Sequence, residues 1–146
     1  MNKIVITGGA GFIGSHLCHA CCNLPGRPEV VVLDNLRSGR RANLDRNRHH
    51  SNFRWTEGSV CDSVLVDEVC AGADCIFHLA AMISVPESLL KPRECVDLNV
   101  HGTLNILEAA RKGGAKKVVL SSSAAIYGDD PELPKHEKLR PCPQTP

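Results

Sequence analysis

Five short apolar runs punctuate this chain, and between them the apolar residues return at the spacing of a helix face. The first run, Lys3-Ile4-Val5-Ile6-Thr7, is β-branched and leads into Gly8-Gly9-Ala10-Gly11-Phe12-Ile13-Gly14. With Ser15-His16-Leu17 behind it, that stretch reads as strand, tight turn and helix N-terminus. Val30-Val31-Val32-Leu33 is the second run and ends at Asp34. Phe53 to Glu57 alternates and predicts a third strand that stops at Gly58; Cys75 to Ala81 predicts a buried fourth. Lys117-Val118-Val119-Leu120 predicts the fifth and terminates in Ser121-Ser122-Ser123.

The intervening stretches predict helices. Asp62 is a candidate N-cap for one over about Ser63 to Cys70, with Val64, Leu65 and Val69 on a common face. Pro86 and Pro92 are expected to break the segment after the fourth strand. A long helix then runs from near Pro92 to Lys112, carrying Val96, Leu98, Leu104, Ile106 and Leu107, and Gly113-Gly114 ends it. The basic stretch after Asp34, with Arg37, Arg40, Arg41, Arg46, Arg48, His49 and His50, reads as a solvated loop and a short exposed helix. From Asp129 onward five prolines (131, 134, 141, 143 and 146) and the loss of helical period predict a loop or tail. The division is therefore residues 1–128 as one folded unit and 129–146 as a proline-rich tail. Strands alternating with helices give an α/β fold, a doubly wound parallel sheet with right-handed crossovers in the order 3-2-1-4-5.

Composition changes this picture little. A length of 146 residues suits one domain, and 42% hydrophobic with 23% charged residues is ordinary for a globular fold. The net charge of +1 gives no general attraction to nucleic acid or to a membrane surface. No apolar run approaches the roughly 20 residues of a membrane helix, and the N-terminus has no small-residue cleavage site, so a cytoplasmic location is expected. Of the eight cysteines, Cys18 and Cys21 form a C-x-x-C within Cys18-His19-Ala20-Cys21-Cys22. No second such pair completes a metal site, and both fall in the first helix. All eight are expected to be buried free thiols, with no metal.

The chemistry lies at the glycines. Gly8 suits a turn, Gly11 lets backbone approach a pyrophosphate, and Gly14 allows close packing of helix on strand; the helix N-terminus then faces the anion. Asp34, 20 residues beyond Gly14 at the tip of the second strand, is placed to accept hydrogen bonds from a ribose diol. Its charge repels a 2′-phosphate, so NAD is expected in preference to NADP, although Arg37 is near. Ser121, Ser122 and Ser123 end a strand whose carboxyl end points at the same crevice. His78 reads as a hydrogen-bonded core histidine. Asn99, polar within an apolar helix, suggests a specific hydrogen-bonding duty.

Thr7 to Gly14 (TGGAGFIG), Leu33 to Gly39 (LDNLRSG), His78 to Ala81 (HLAA), Asn99 to Thr103 (NVHGT) and Ser121 to Gly128 (SSSAAIYG) together resemble the extended short-chain dehydrogenase/reductases. Within them the chain is most similar to the NAD-dependent nucleotide-sugar epimerases, the UDP-glucose 4-epimerase group in particular. The resemblance implies a Rossmann fold and NAD contacts at Gly8, Gly11, Phe12, Ile13, Gly14, Asp34, Asn35, Val60, Leu79, Ala80, Ala81 and Asn99, with Ser59 beside the adenine and Ser121 at the far end. It implies that Ser123 hydrogen-bonds the sugar hydroxyl being oxidised. It implies a nucleotide-sugar substrate, a UDP-sugar first among them, epimerised through a 4-keto intermediate, and a homodimer in the intact protein. A 4,6-dehydratase or decarboxylase shares these motifs, and a non-catalytic NAD-binding module is the reading from another class.

Two departures stand out. Members of the family often carry Asp where this chain has Ser59, so the adenine contact loses a charge. Their chemistry also needs a tyrosine followed four residues later by lysine, whereas Tyr127 is followed at that distance by Pro131. The resemblance therefore implies a cofactor-binding part whose catalytic dyad and C-terminal substrate domain are absent, inactive alone and marginally soluble through uncovered apolar surface near the fifth strand.

Overall fold

Side chains alternate between the two faces of a strand, and the β-branched residues of β1 (Lys3–Thr7) and β2 (Glu29–Asp34) are apolar on both faces, which demands a cover on each side. The computed structural model, which describes residues 1–145, supplies both covers. Ile4, Ile6, Val30 and Val32 pack with Cys18, Cys21 and Cys22 of α1 (Phe12–Cys22). Val5, Val31, Leu33 and Ile76 pack with Val66, Val69 and Ile106 from α2 (Ser63–Cys70) and α5 (Gly102–Gly113). β3 (Phe53–Glu57), β4 (Cys75–His78) and β5 (Lys117–Leu120) complete a sheet ordered β3-β2-β1-β4-β5, parallel throughout. This is the doubly wound α/β sheet expected. No helix among the described residues is long and apolar enough to cross a membrane.

Local chemistry corrects several expectations. β4 ends at His78, because beyond Leu79 the backbone turns to other partners and the Ala80 N–H donates to Thr7 Oγ1 at 3.3 Å. Pro86 begins a helix where a break was expected. It lies in the first turn of α3 (Val85–Leu90), where a missing N–H costs nothing, and Ser84 caps that turn by accepting from the Glu87 N–H. The long helix is continuous in three parts: α4 (Pro92–Val96), a wide π turn over Asp97–His101, and α5, closed by Gly114 at φ 71°. The turn after β2 is a 3-10 helix, Arg41–Asn47, that is not simply exposed, since Leu44 and Asn47 are buried. Cys61 and Cys142 are exposed, against the expectation of buried thiols throughout. Asp62 caps α2 by accepting from the Leu65 N–H at 3.1 Å. After a 3-10 turn over Ala124–Tyr127 no helix or strand occurs in the described residues; Pro146, the last of the proline-rich tail, lies outside them.

Candidate functional site

A cavity of about 510 Å³ opens over the carboxyl ends of the strands, the size of a cofactor site. Its floor is the β1–α1 turn. Gly8 has φ 70°, and a Cβ there would stand 2.7 Å from the Ala80 nitrogen. A Cβ on Gly14 would stand 2.2 Å from the Gly8 carbonyl oxygen, so only glycine lets α1 start this close to β1. Gly8, Gly11, Phe12, Ile13 and Gly14 all line the cavity. The N–H groups of a helix's first turn have no acceptor within the helix, and the first turn of α1 carries no acidic residue; the cradle therefore offers donors and positive potential to an anion.

Asp34 lies at the far lip, 7% exposed. Its Oδ2 accepts from the Ala10 N–H and its Oδ1 from the Leu36 N–H, each at 2.8 Å. These bonds fix the carboxylate and leave each oxygen a further lone pair for a ligand diol. Asn35 lines the cavity as well, and its side chain accepts from the Arg37 N–H at 3.1 Å. Val60 is 2% exposed, and its carbonyl is held by Asn105 Nδ2 at 2.9 Å. Ser59 is not among the lining residues; its hydroxyl accepts from the Cys61 N–H.

The wall at the end of β4 is Leu79, Ala80 and Ala81, and a chain of hydrogen bonds sets it. Thr103 Oγ1 donates to the Asn99 carbonyl at 2.6 Å, so it accepts from His78 Nε2–H at 3.0 Å. His78 Nδ1 then accepts from Thr7 Oγ1 at 2.6 Å, and Thr7 Oγ1 accepts from Ala80 N–H. Each hydroxyl passes on one proton, which makes His78 a neutral Nε2–H imidazole. Burial drives its pKa down to about 4. Asn99 extends the tie. Its Oδ1 accepts from the Met82 N–H at 2.8 Å and its Nδ2 donates to the Met82 carbonyl at 3.1 Å. Asn99, expected to contact the coenzyme, is not among the lining residues; it grips the backbone just beyond the wall, and its neighbour Leu98 lines the cavity.

Ser121, Ser122 and Ser123 line the other end. Ser123 Oγ accepts from the Ala125 N–H at 3.1 Å, leaving its own proton free to donate. Ser122 and Ser123 also border a second, open cavity of about 320 Å³ shared with Tyr127, Lys135 and His136. Sequence reasoning missed Leu33, Ser38, Gly58, Ile83 and Leu98 in the lining and the roles of Thr7, Thr103 and Asn105. The signal for Thr103 was its position four residues after Asn99 on one helix, which puts both on one face. No group of acidic, cysteine or histidine side chains among the described residues has the arrangement to hold a metal.

The arrangement fits a dinucleotide: an amide cradle for a diphosphate, a carboxylate for a ribose diol, and a small-residue wall between that cradle and a row of hydroxyls. Residues 4–146 match the model of the NAD dependent epimerase/dehydratase family. The UDP-glucose 4-epimerase of Klebsiella pneumoniae is 37% identical over 136 residues, 90% of this chain and 96% of that protein. The dTDP-glucose 4,6-dehydratase of Streptomyces niveus is 39% identical over 149 residues, 99% of this chain but 44% of that protein. Among solved structures, the UDP-glucose 4-epimerase of Bifidobacterium longum in complex with NAD+ and UDP superimposes with a TM-score of 0.85 at 32% identity, over 97% of this chain and 43% of that one. The chain thus spans less than half the length of the Streptomyces and Bifidobacterium proteins.

Proposed function

We propose, from the premise that the chain belongs to the NAD dependent epimerase/dehydratase family and that its coenzyme is NAD, that it provides the coenzyme half of a nucleotide-sugar epimerase acting on a UDP-sugar through a 4-keto intermediate. One observation carries the reading: the glycine cradle and the Asp34 carboxylate open on the same cavity as Ser121–Ser123. When bound, NAD would supply hydride acceptance and donation at the sugar carbinol.

The chain's own residues bind and orient. Amides of Phe12, Ile13 and Gly14, with Gly8 and Gly11 giving access, receive the diphosphate. Asp34 takes the adenosine ribose, with Asn35 beside it; Val60 flanks the adenine, and Ser59, outside the lining, holds the turn behind it through the Cys61 N–H. Leu79, Ala80 and Ala81 form the wall along the diphosphate, positioned by Asn99, and Ser121 meets the nicotinamide end. Ser123 donates to the sugar hydroxyl and orients it, but a serine hydroxyl is no base near neutral pH. Tyr127 has Pro131 at the place of a partner lysine, so this chain alone binds coenzyme without turning over sugar.

Two exposed surfaces support the assignment of further partners. Val96, Val100, Leu104 and Leu107 are 41–57% exposed and recur along one face of the helix from Pro92 to Gly113, a stripe suited to a homodimer seam in the intact protein. Val119 and Leu120 of β5 are exposed at the edge of the sheet, an apolar edge suited to a further packing partner. A 4,6-dehydratase or decarboxylase of the family would use the same coenzyme residues.

Titration calorimetry of the chain with NAD+ tests the reading. Saturable one-site binding is expected, with no interconversion of UDP-glucose and UDP-galactose by the same preparation; absence of binding defeats the coenzyme assignment, and turnover defeats the claim that the chain lacks its base.

A further inference from the structure

Arg37 is the only cation among the described residues that line the cavity, and it sits three positions beyond Asp34. A cation so placed is the group that accommodates a 2′-phosphate in dinucleotide sites that take one. Here the guanidinium is already committed. Its Nη2 meets Glu87 Oε1 of α3 at 2.6 Å, and its Nη1 meets Glu94 Oε1 of α4. Lys91 Nζ lies 3.6 Å from Glu87 and 3.5 Å from Glu94, so two cations and two carboxylates close into a neutral cluster. The Arg37 side chain is 26% exposed, and its backbone N–H is fixed by Asn35 Oδ1.

We infer that Glu87 and Glu94 are coenzyme-specificity residues: by holding Arg37 in the cavity lining they withhold the one lining cation a 2′-phosphate would need. Neither carboxylate lines the cavity, and both reach it only through Arg37. Asp34 then acts unopposed. A 2′-phosphate beside it meets a fixed negative charge and no free positive one, while a ribose diol meets only an acceptor. The fork of Arg37 is filled by two carboxylates, so turning it toward a ligand phosphate leaves Glu87 and Glu94 with Lys91 alone.

The inference rests on the cavity being the NAD site, and one set of titrations separates the two. NAD+ and NADP+ are titrated calorimetrically into the native chain, the E87Q/E94Q chain and the R37A/E87Q/E94Q chain at one fixed salt concentration. The glutamines keep side-chain volume at half-buried positions. NADP+ is expected to bind the double variant about tenfold more tightly than the native chain, the scale of one charge-assisted hydrogen bond. NAD+ affinity stays within about twofold, and adding R37A erases the gain. The inference is overturned if NADP+ affinity of the double variant stays within about twofold of native while NAD+ binds, or if the gain survives R37A. Failure of the native chain to bind NAD+ overturns the coenzyme reading itself.

Discussion

β1 and β5 begin alike, Lys-Ile-Val-Ile against Lys-Val-Val-Leu, and both pair in parallel with β4. Their fates differ. Ile4, Val5 and Ile6 are completely buried, whereas Val119 and Leu120 are 40% and 55% exposed. Hydropathy cannot account for this; position does. β1 lies in the middle of the sheet with helices on both faces, and β5 is the edge, where only Val118 packs against the core beneath α5. The site divides along the same line. The cradle at the end of β1 is closed and crowded, so that no atom can be added at Gly14, while the serines at the end of β5 stand exposed. The glycine and Asp34 end of the cavity is thus closed by packing within the described residues, and the serine end is open.

The sharpest way to break the β1 end is Gly14→Ala. A Cβ 2.2 Å from a backbone carbonyl oxygen cannot be relieved by a rotamer change, so α1 must move off β1. The expected cost is about 3 kcal/mol of stability, the upper part of the range for overpacking, with loss of measurable NAD+ binding. Urea denaturation and calorimetry check both. A fully native stability with NAD+ affinity intact would show that the cradle is looser than its contacts imply.

The tie between β1 and β4 makes a pH prediction. His78 is neutral in the folded chain, with its pKa lowered to about 4 by burial, while in the unfolded chain it titrates near 6.5. Below pH 6.5 the unfolded state gains a proton that the folded state refuses. Stability is therefore full above that pH, falls as pH drops toward 4, and then levels, by up to about 3 kcal/mol. His50, also lowered by burial and by its neighbours His49 and His19, contributes in the same direction. In His78→Gln most of this limb should vanish, although the variant is less stable at pH 7. Equal slopes for the two proteins in urea midpoint against pH would discard the neutral relay.

What could be read in the sequence follows from how local each feature is. The cradle and Asp34 are set by a turn and by the end of the neighbouring strand, so spacing alone finds them. Strand order followed from alternation of strands and helices. The position of Asn99 marked it as a residue with a hydrogen-bonding task, but its partner, the Met82 backbone, is 17 residues away. Arg37 read as a solvated loop residue because Glu87 and Glu94 lie 50 and 57 residues downstream. Pro86 illustrates a different failure, since proline both ends helices and begins them, and the Ser84 cap decides which. The residues of β5 alone did not reveal its exposure, because an edge strand and a central one carry the same residues; uncovered apolar surface near it was expected only through the family resemblance.

Asp34→Ala acts on coenzyme more than on the fold. It removes a fixed acceptor for the ribose and frees two backbone donors, Ala10 N–H and Leu36 N–H. NAD+ affinity should fall about 30-fold, or about 2 kcal/mol, as expected for hydrogen bonds to a charged group. Asp34→Asn keeps an acceptor and should lose less. An Ala variant that binds NAD+ as the native chain does would move the ribose elsewhere.

The smallest effect belongs to the other half of the comparison. Leu120→Ser changes a side chain that is already 55% exposed and that no buried cluster claims. Little apolar area leaves the core and no cavity forms, so stability should change by no more than about 0.5 kcal/mol. If β5 is an open edge, the same change should also raise the concentration at which the chain begins to self-associate, because it removes part of an exposed apolar patch without touching the cradle. NAD+ affinity should be unaltered, since neither Val119 nor Leu120 lines the cavity. A loss above 2 kcal/mol in urea denaturation would mean that Leu120 is covered in solution, and the contrast between the finished β1 end and the open β5 end would then have to be withdrawn.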